Sequence, residues 1–160
     1  MNNFIFENST KVFFGKGCVK EYLSCWADKF GERVLLAYGG CSIKKNGIYE
    51  EVTSILEKAG KTVIEFSGIM ANPTYEKVLE GAKIARENEV DWILGIGGGS
   101  VMDCCKAVSL AAISKKDIWK EYWAKPGIID FEPLPLGVIV TGAGTCSECN
   151  GGAVVTNEGL

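Results

Sequence analysis

Residues 92–103 read WILGIGGGSVMD, an apolar run that ends in three consecutive glycines and leads into a serine and an aspartate three positions apart. A short continuous apolar run bounded by glycine is the pattern of a strand buried on both faces. Ser100 and Asp103 have the S-x-x-D spacing of a capping box at a helix start. A strand, a tight loop and a helix are therefore predicted in succession. Gly97, Gly98 and Gly99 carry no Cβ, so an anionic group can approach main-chain N–H groups at the positive end of the helix dipole. Phosphate is the natural guest. Gly95, Gly97 and Ser100 only approximate the dinucleotide fingerprint G-x-G-x-x-G, and no Lys-Ser or Lys-Thr pair follows, which excludes a Walker loop. Asp103 reads either as a helix cap or as a carboxylate with work in the cleft.

Moving outward, Arg33–Tyr38 (RVLLAY), Thr62–Phe66 and Leu136–Val140 are further apolar runs of strand length. Between them, helical spacing links Val19, Tyr22, Leu23 and Trp26. It also links Ile48, Val52, Ile55, Leu56 and Ala59, with Gly60 as the stop, and Tyr75, Val78, Leu79, Ala82 and Ala85. A further helix runs from Ser100 to about Ile113. Strand centres at Val34, Val63 and Ile93 recur at about 30 residues, the length of a strand–helix–strand crossover. The fold class is α/β, a Rossmann-like, doubly wound, mostly parallel sheet. Phe4–Phe14 adds a short N-terminal strand pair around a polar turn at Glu7–Thr10. Ligands of such sheets bind beyond the carboxyl ends of the strands, so Gly39–Ser42, Ser67–Pro73 and Gly97–Ser100 should face one cleft. TGAGTCSECN, Thr141–Asn150, is a second small-residue loop at that edge, and GGAVVTNEGL reads as a strand and a turn. Trp119, Tyr122 and Trp123 read as core or interface packing.

The 160 residues form one domain, 1–160. A net charge of −3 with no basic run excludes nucleic acid and anionic membrane surfaces as expected partners. No apolar stretch is long enough to span a bilayer, and MNNFIFENST lacks the basic and apolar regions of a signal peptide, so a cytoplasmic location is expected. Seven cysteines cannot all pair within one chain. Cys18, Cys25, Cys41, Cys104 and Cys105 are expected as buried thiols, and the lone C-x-x-C of Cys146 and Cys149 lacks a second half for a zinc site. The chain has no histidine, which removes Ser-His and Cys-His pairs and the commonest metal ligand.

Taken in order, five motifs resemble the iron-containing alcohol dehydrogenase family, in its butanol dehydrogenase and NADPH-dependent aldehyde reductase branch. They are the opening FxFxNxTKVxFGxG pattern at Phe4–Gly17, YGGCSIKKNGIYEEV at Tyr38–Val52, Asn72-Pro73, GIGGGSVMDCCKA at Gly95–Ala107, and the loop at Thr141–Asn150. Cys146 stands where the family has the glycine of its T-G-S-E motif. The resemblance implies an N-terminal cofactor domain whose helical, metal-binding partner domain is absent from these residues, with the divalent metal, iron or zinc, held there. It also implies a homodimer, small aldehyde and alcohol substrates, and no turnover by this chain alone.

By the same resemblance Gly97, Gly98, Gly99 and Ser100 would hold a pyrophosphate and Asp103 would lie toward the nicotinamide. Gly39, Gly40, Ser42, Asn72, Pro73, Thr141, Thr145, Ser147 and Asn150 would line the remaining cleft. An acid after the relevant strand would accept bonds from a ribose 2′-hydroxyl and repel a 2′-phosphate. Gly39-Gly40-Cys41-Ser42 offers none before Glu50, and Lys44 and Lys45 stand beside it, so NADP(H) is favoured over NAD(H) unless those lysines are only solvated charges. The alternatives are a domain like those of glycerol dehydrogenase or dehydroquinate synthase, disfavoured by the N-terminal strand pair and the Thr141–Asn150 loop, and a nucleotide-binding module without catalysis.

Overall fold

In the computed structural model, residues 8–125 and 127–159 are described, and they build a parallel sheet of four strands with helices on both faces. The elements are α1 (Cys18–Ala27), β1 (Arg33–Tyr38), α2 (Ser42–Lys45), α3 (Ile48–Lys58), β2 (Thr62–Phe66), α4 (Tyr75–Glu87), β3 (Trp92–Gly97), α5 (Gly99–Ile113) and β4 (Leu136–Val140). The strand order is β2-β1-β3-β4. Val34 of β1 pairs with Val63 of β2 on one side and Trp92 of β3 on the other, and Ile93 of β3 pairs with Leu136 of β4.

Alternation along the strands sorts the apolar side chains into two layers, because successive residues point to opposite faces. Val34, Leu36, Tyr38, Trp92, Leu94 and Ile96 pack with Leu23 and Ala27 of α1 and with Val52 and Leu56 of α3. Leu35, Ala37, Phe66 and Ile93 pack with Val78, Ala82 and Ala85 of α4 and with Val101, Cys104, Cys105 and Val108 of α5. This is the doubly wound arrangement: the chain leaves β1 across one face to reach β2, then returns across the other to β3 and β4. Trp92 is fully buried, edge-on to Trp26 at 5.2 Å, and its indole N–H donates to the Gly31 carbonyl at 3.2 Å. A large side chain with a polar tip can be buried here because that tip is paired.

Several expectations are corrected. Residues 8–14 run as irregular chain, so the second strand of the N-terminal pair does not form; Val12 and Phe14 are exposed and join no sheet edge among the described residues. The first, at Phe4–Phe6, lies outside the described residues. The final segment makes an isolated parallel bridge, Thr74 with Thr156, in place of a strand, since its other bonds go to side chains of α5 and of the Trp119–Trp123 turn and not to a sheet edge. Cys25 and Cys41 are exposed and Cys18 is half-buried, while Cys104 and Cys105 are buried as expected; burial pushes the Cys104 thiol up to about 12. Trp119–Trp123 forms a short π-helical turn, with Tyr122 and Trp123 packed on the core and Trp119 close to Tyr75 at 5.5 Å between ring centres. Among the described residues no helix is long and apolar enough to cross a membrane.

Candidate functional site

β1 and β3 are neighbours, yet the chain leaves β1 toward β2 and leaves β3 toward β4. The crevice between their carboxyl ends is the topological switch point, where ligands of open α/β sheets bind. The loop ends are tied together there. The Gly68 N–H donates to the Gly39 carbonyl at 2.9 Å, the Thr141 N–H to Gly97 at 3.0 Å, and the Asn72 N–H to the Ser100 hydroxyl oxygen at 3.3 Å. Pro73, buried, accepts from the Thr156 N–H at 2.9 Å.

The expected capping box does not form. α5 begins two residues earlier than that spacing implies, with Gly98 as N-cap in extended backbone, so Ser100 already lies inside the first turn. Asp103 is turned to the second loop: Oδ1 accepts from the Ser147 hydroxyl at 2.6 Å and Oδ2 from the Val154 N–H at 3.2 Å. Of its two readings the cap is therefore excluded.

Lys106, one turn further along α5, was missed by the sequence reading and organises this corner. Its ammonium donates to the Ser147 Oγ at 2.9 Å, the Asn150 Oδ1 at 3.1 Å and the Gly152 carbonyl at 2.7 Å. Burial pulls its pKa below the usual lysine value, and the charge of Asp103 opposes that. The D-x-x-K spacing puts Asp103 and Lys106 on one helical face, and that was the available signal. Ser147, 4% exposed, is the buried hydroxyl between them. Thr145 sits against the triple-glycine loop and accepts from the Ser147 N–H at 3.2 Å. Cys146 has φ 52°, the left-handed region that glycine favours, so the loop keeps a glycine-like path at a strain cost of about 1 kcal/mol.

The glycines divide by what surrounds them. A Cβ on Gly97 would lie 2.5 Å from Val101 and one on Gly99 would lie 2.8 Å from Thr145, so packing alone excludes side chains there. A Cβ on Gly98 would meet nothing within 4 Å, and neither would one on Gly40 or Gly142, in the loops after β1 and β4. None of these three has a positive φ. They leave open space beside bare backbone at the same edge of the sheet, which fits the close approach of a phosphate-bearing ligand.

A second cluster lies on the α3 side of this edge. Glu65 of β2 accepts from the hydroxyls of Tyr38 and Tyr49, and Lys44 of α2 stands 3.5 Å from its Oε2. The Tyr38 hydroxyl, and after it that of Tyr49, holds the Glu65 carboxyl below its usual value, while the Tyr49 hydroxyl is pushed up to about 12, chiefly by its bond to Glu65. A lowered carboxylate pKa stabilises the fold above the unfolded value of 4.5, and that contribution is lost as pH falls through the folded value. The stability advantage of wild type over Glu65→Gln should therefore shrink on acidification below that value, as read by melting curves between about pH 7 and pH 3.

Metal ligation finds no support here: among the described residues no three His, Cys, Asp or Glu side chains come together to hold an ion.

The chain matches the family described as iron-containing alcohol dehydrogenase over residues 9–160. It is 41% identical over 157 residues to the NADH-dependent butanol dehydrogenase A of Clostridium acetobutylicum, covering 98% of this chain and 40% of that protein. It is 36% identical over 162 residues to the NADPH-dependent aldehyde reductase YqhD of Escherichia coli, covering 99% and 40%. The crystal structure of the NADH-dependent butanol dehydrogenase A of Thermotoga maritima superposes with a TM-score of 0.89 at 40% identity, covering 99% of this chain and 39% of that one.

Proposed function

Because this chain belongs to the iron-containing alcohol dehydrogenase family and spans about 40% of the length of the relatives it matches, we propose that it is the nicotinamide-dinucleotide-binding part of an oxidoreductase that interconverts small aldehydes and primary alcohols. The observation that carries the reading is the open space beside Gly40, Gly98 and Gly142, at the ends of three strands around one crevice. Bound there, the reduced dinucleotide would supply hydride to a carbonyl carbon.

The chain's own residues bind and orient. Gly97, Gly98, Gly99 and Ser100 present the first turn of α5 to the pyrophosphate, where unpaired N–H groups and the helix dipole favour negative charge. Asn72 and Pro73 fix the loop after β2 beside Ser100. Asp103 and Lys106 hold Ser147 and Asn150, and with them Thr141 and Thr145, as the wall on the β4 side. Gly39, Gly40 and Ser42 form the adenosine-ribose end, and the lack of a carboxylate in that loop favours NADPH over NADH. The family's divalent metal finds no set of three His, Cys, Asp or Glu ligands among the described residues. A homodimer is the proposed assembly and the cytoplasm the proposed compartment.

The reading is tested by titrating the chain with NADPH and NADH, following nicotinamide fluorescence. Saturable binding of both is expected, with NADPH tighter by less than about tenfold, since Glu65 partly offsets the lysine charge. Binding of neither overturns the reading, and tighter NADH overturns the preference.

A further inference from the structure

We propose that Glu65 sets how strongly the site discriminates a ribose 2′-phosphate from a 2′-hydroxyl, by holding the ammonium of Lys44 in a closed ion pair. The proposal rests on the dinucleotide reading above. In sequence, Lys44 appears as a free cation beside Gly39–Ser42, and Glu65 stands more than one element away on β2. In the fold they meet. Lys44 Nζ is 3.5 Å from Glu65 Oε2 and lies over the rings of Tyr49 at 4.4 Å and Tyr38 at 5.4 Å. Both carboxylate oxygens are engaged by tyrosine hydroxyls, so the acid cannot swing away without breaking two bonds.

Glu65 also belongs to the same edge of the sheet as the ribose loop. Three residues after it, the Gly68 N–H donates to the Gly39 carbonyl at 2.9 Å, and the Ile69 N–H donates to Tyr38 at 3.3 Å. Lys44 lies two residues beyond Ser42 on the short helix that this loop enters. The two opposite charges therefore cancel beside the loop. Lys45 has no ion pair among the described residues.

The physical consequence is selective. A 2′-phosphate brings close to two negative charges, whereas a 2′-hydroxyl brings none, so the charge of Glu65 acts on one dinucleotide and not the other. Removing it should strengthen NADPH binding by about fivefold from Coulomb repulsion alone, with a further gain when Lys44 is released toward the phosphate. The backbone contacts common to both cofactors are untouched.

The experiment measures Kd for NADPH and for NADH with wild type, Glu65→Gln, Lys44→Met and the double variant. Both side chains are about half exposed, at 42% for Lys44 and 45% for Glu65, and melting curves check that each variant folds. Glu65→Gln is expected to raise the ratio of NADH Kd to NADPH Kd about tenfold, with most of the change in NADPH and the effect weakening in high salt. In the Lys44→Met background the same change should give only the roughly fivefold Coulomb part, since no ammonium is left to release. Folded variants that bind both cofactors with an unchanged ratio overturn the role of Glu65 and leave the dinucleotide site standing. Wild type that binds neither cofactor overturns the dinucleotide reading itself, and this proposal falls with it.

Discussion

Gly98→Val is expected to weaken dinucleotide binding about 100-fold, which is about 2.7 kcal/mol, while leaving the melting temperature within about 2 °C of wild type. The two effects separate because a side chain at this N-cap would touch no atom of the folded chain, which leaves only the modest cost of a poorer cap. Its backbone is extended, with φ −97° and ψ −163°, where a β-branched residue is at ease, and its Cβ would meet no atom within 4 Å. The added side chain would fill the space through which a pyrophosphate reaches the start of α5, removing one or two charge-assisted bonds of about 1.5–3 kcal/mol each. Gly97→Val is the contrast. Its Cβ would fall 2.7 Å from the Cβ of Val101, so it should lose stability and binding together. Calorimetric titration with NADPH beside scanning calorimetry reads both. A Gly98→Val protein that binds like wild type would put the pyrophosphate elsewhere.

Lys106→Met should lower stability by about 2 kcal/mol and dinucleotide affinity by about 30-fold. Three acceptors, Ser147 Oγ, Asn150 Oδ1 and the Gly152 carbonyl, lose one shared donor, and Asp103 keeps its charge without a cation beside it. The loop from Thr141 to Gly152 would then keep the Ser147–Asp103 bond to α5 but lose the three that Lys106 makes. Lys106→Arg should restore part of the stability, because a cation remains, but less of the affinity, because a planar fork does not match three acceptors arranged around one ammonium. Unfolding midpoints and NADPH titrations of the two variants read the difference. Equal binding by Lys106→Met and wild type would remove the tether from the site.

The sequence was most legible where burial on both faces leaves a continuous apolar run. Arg33–Tyr38, Thr62–Phe66 and Leu136–Val140 are strands over the residues their patterns imply. Glycine placement marked where backbone lies bare at strand ends: a Cβ at Gly40, Gly98 or Gly142 would meet nothing within 4 Å. Pattern failed where a partner was required. Val12 and Phe14 have strand chemistry but pair with no strand among the described residues. Ser100 and Asp103 have capping-box spacing, yet Asp103 gains more from the buried Ser147 hydroxyl and the Val154 N–H, both remote in sequence. Lys44 and Glu65 were unreadable as a pair because only the β1–β2 register brings them together.

The most direct test of the site is amide hydrogen exchange of this chain with and without saturating NADPH. Protection should rise at Gly97–Val101, where the first N–H groups of α5 would bond the pyrophosphate, and at Gly39–Ser42 and Thr141–Asn150, with little change along the apolar strands. Protection confined to other surfaces, with those three loops exchanging as in the free chain, would contradict a cofactor site at the β1/β3 switch point.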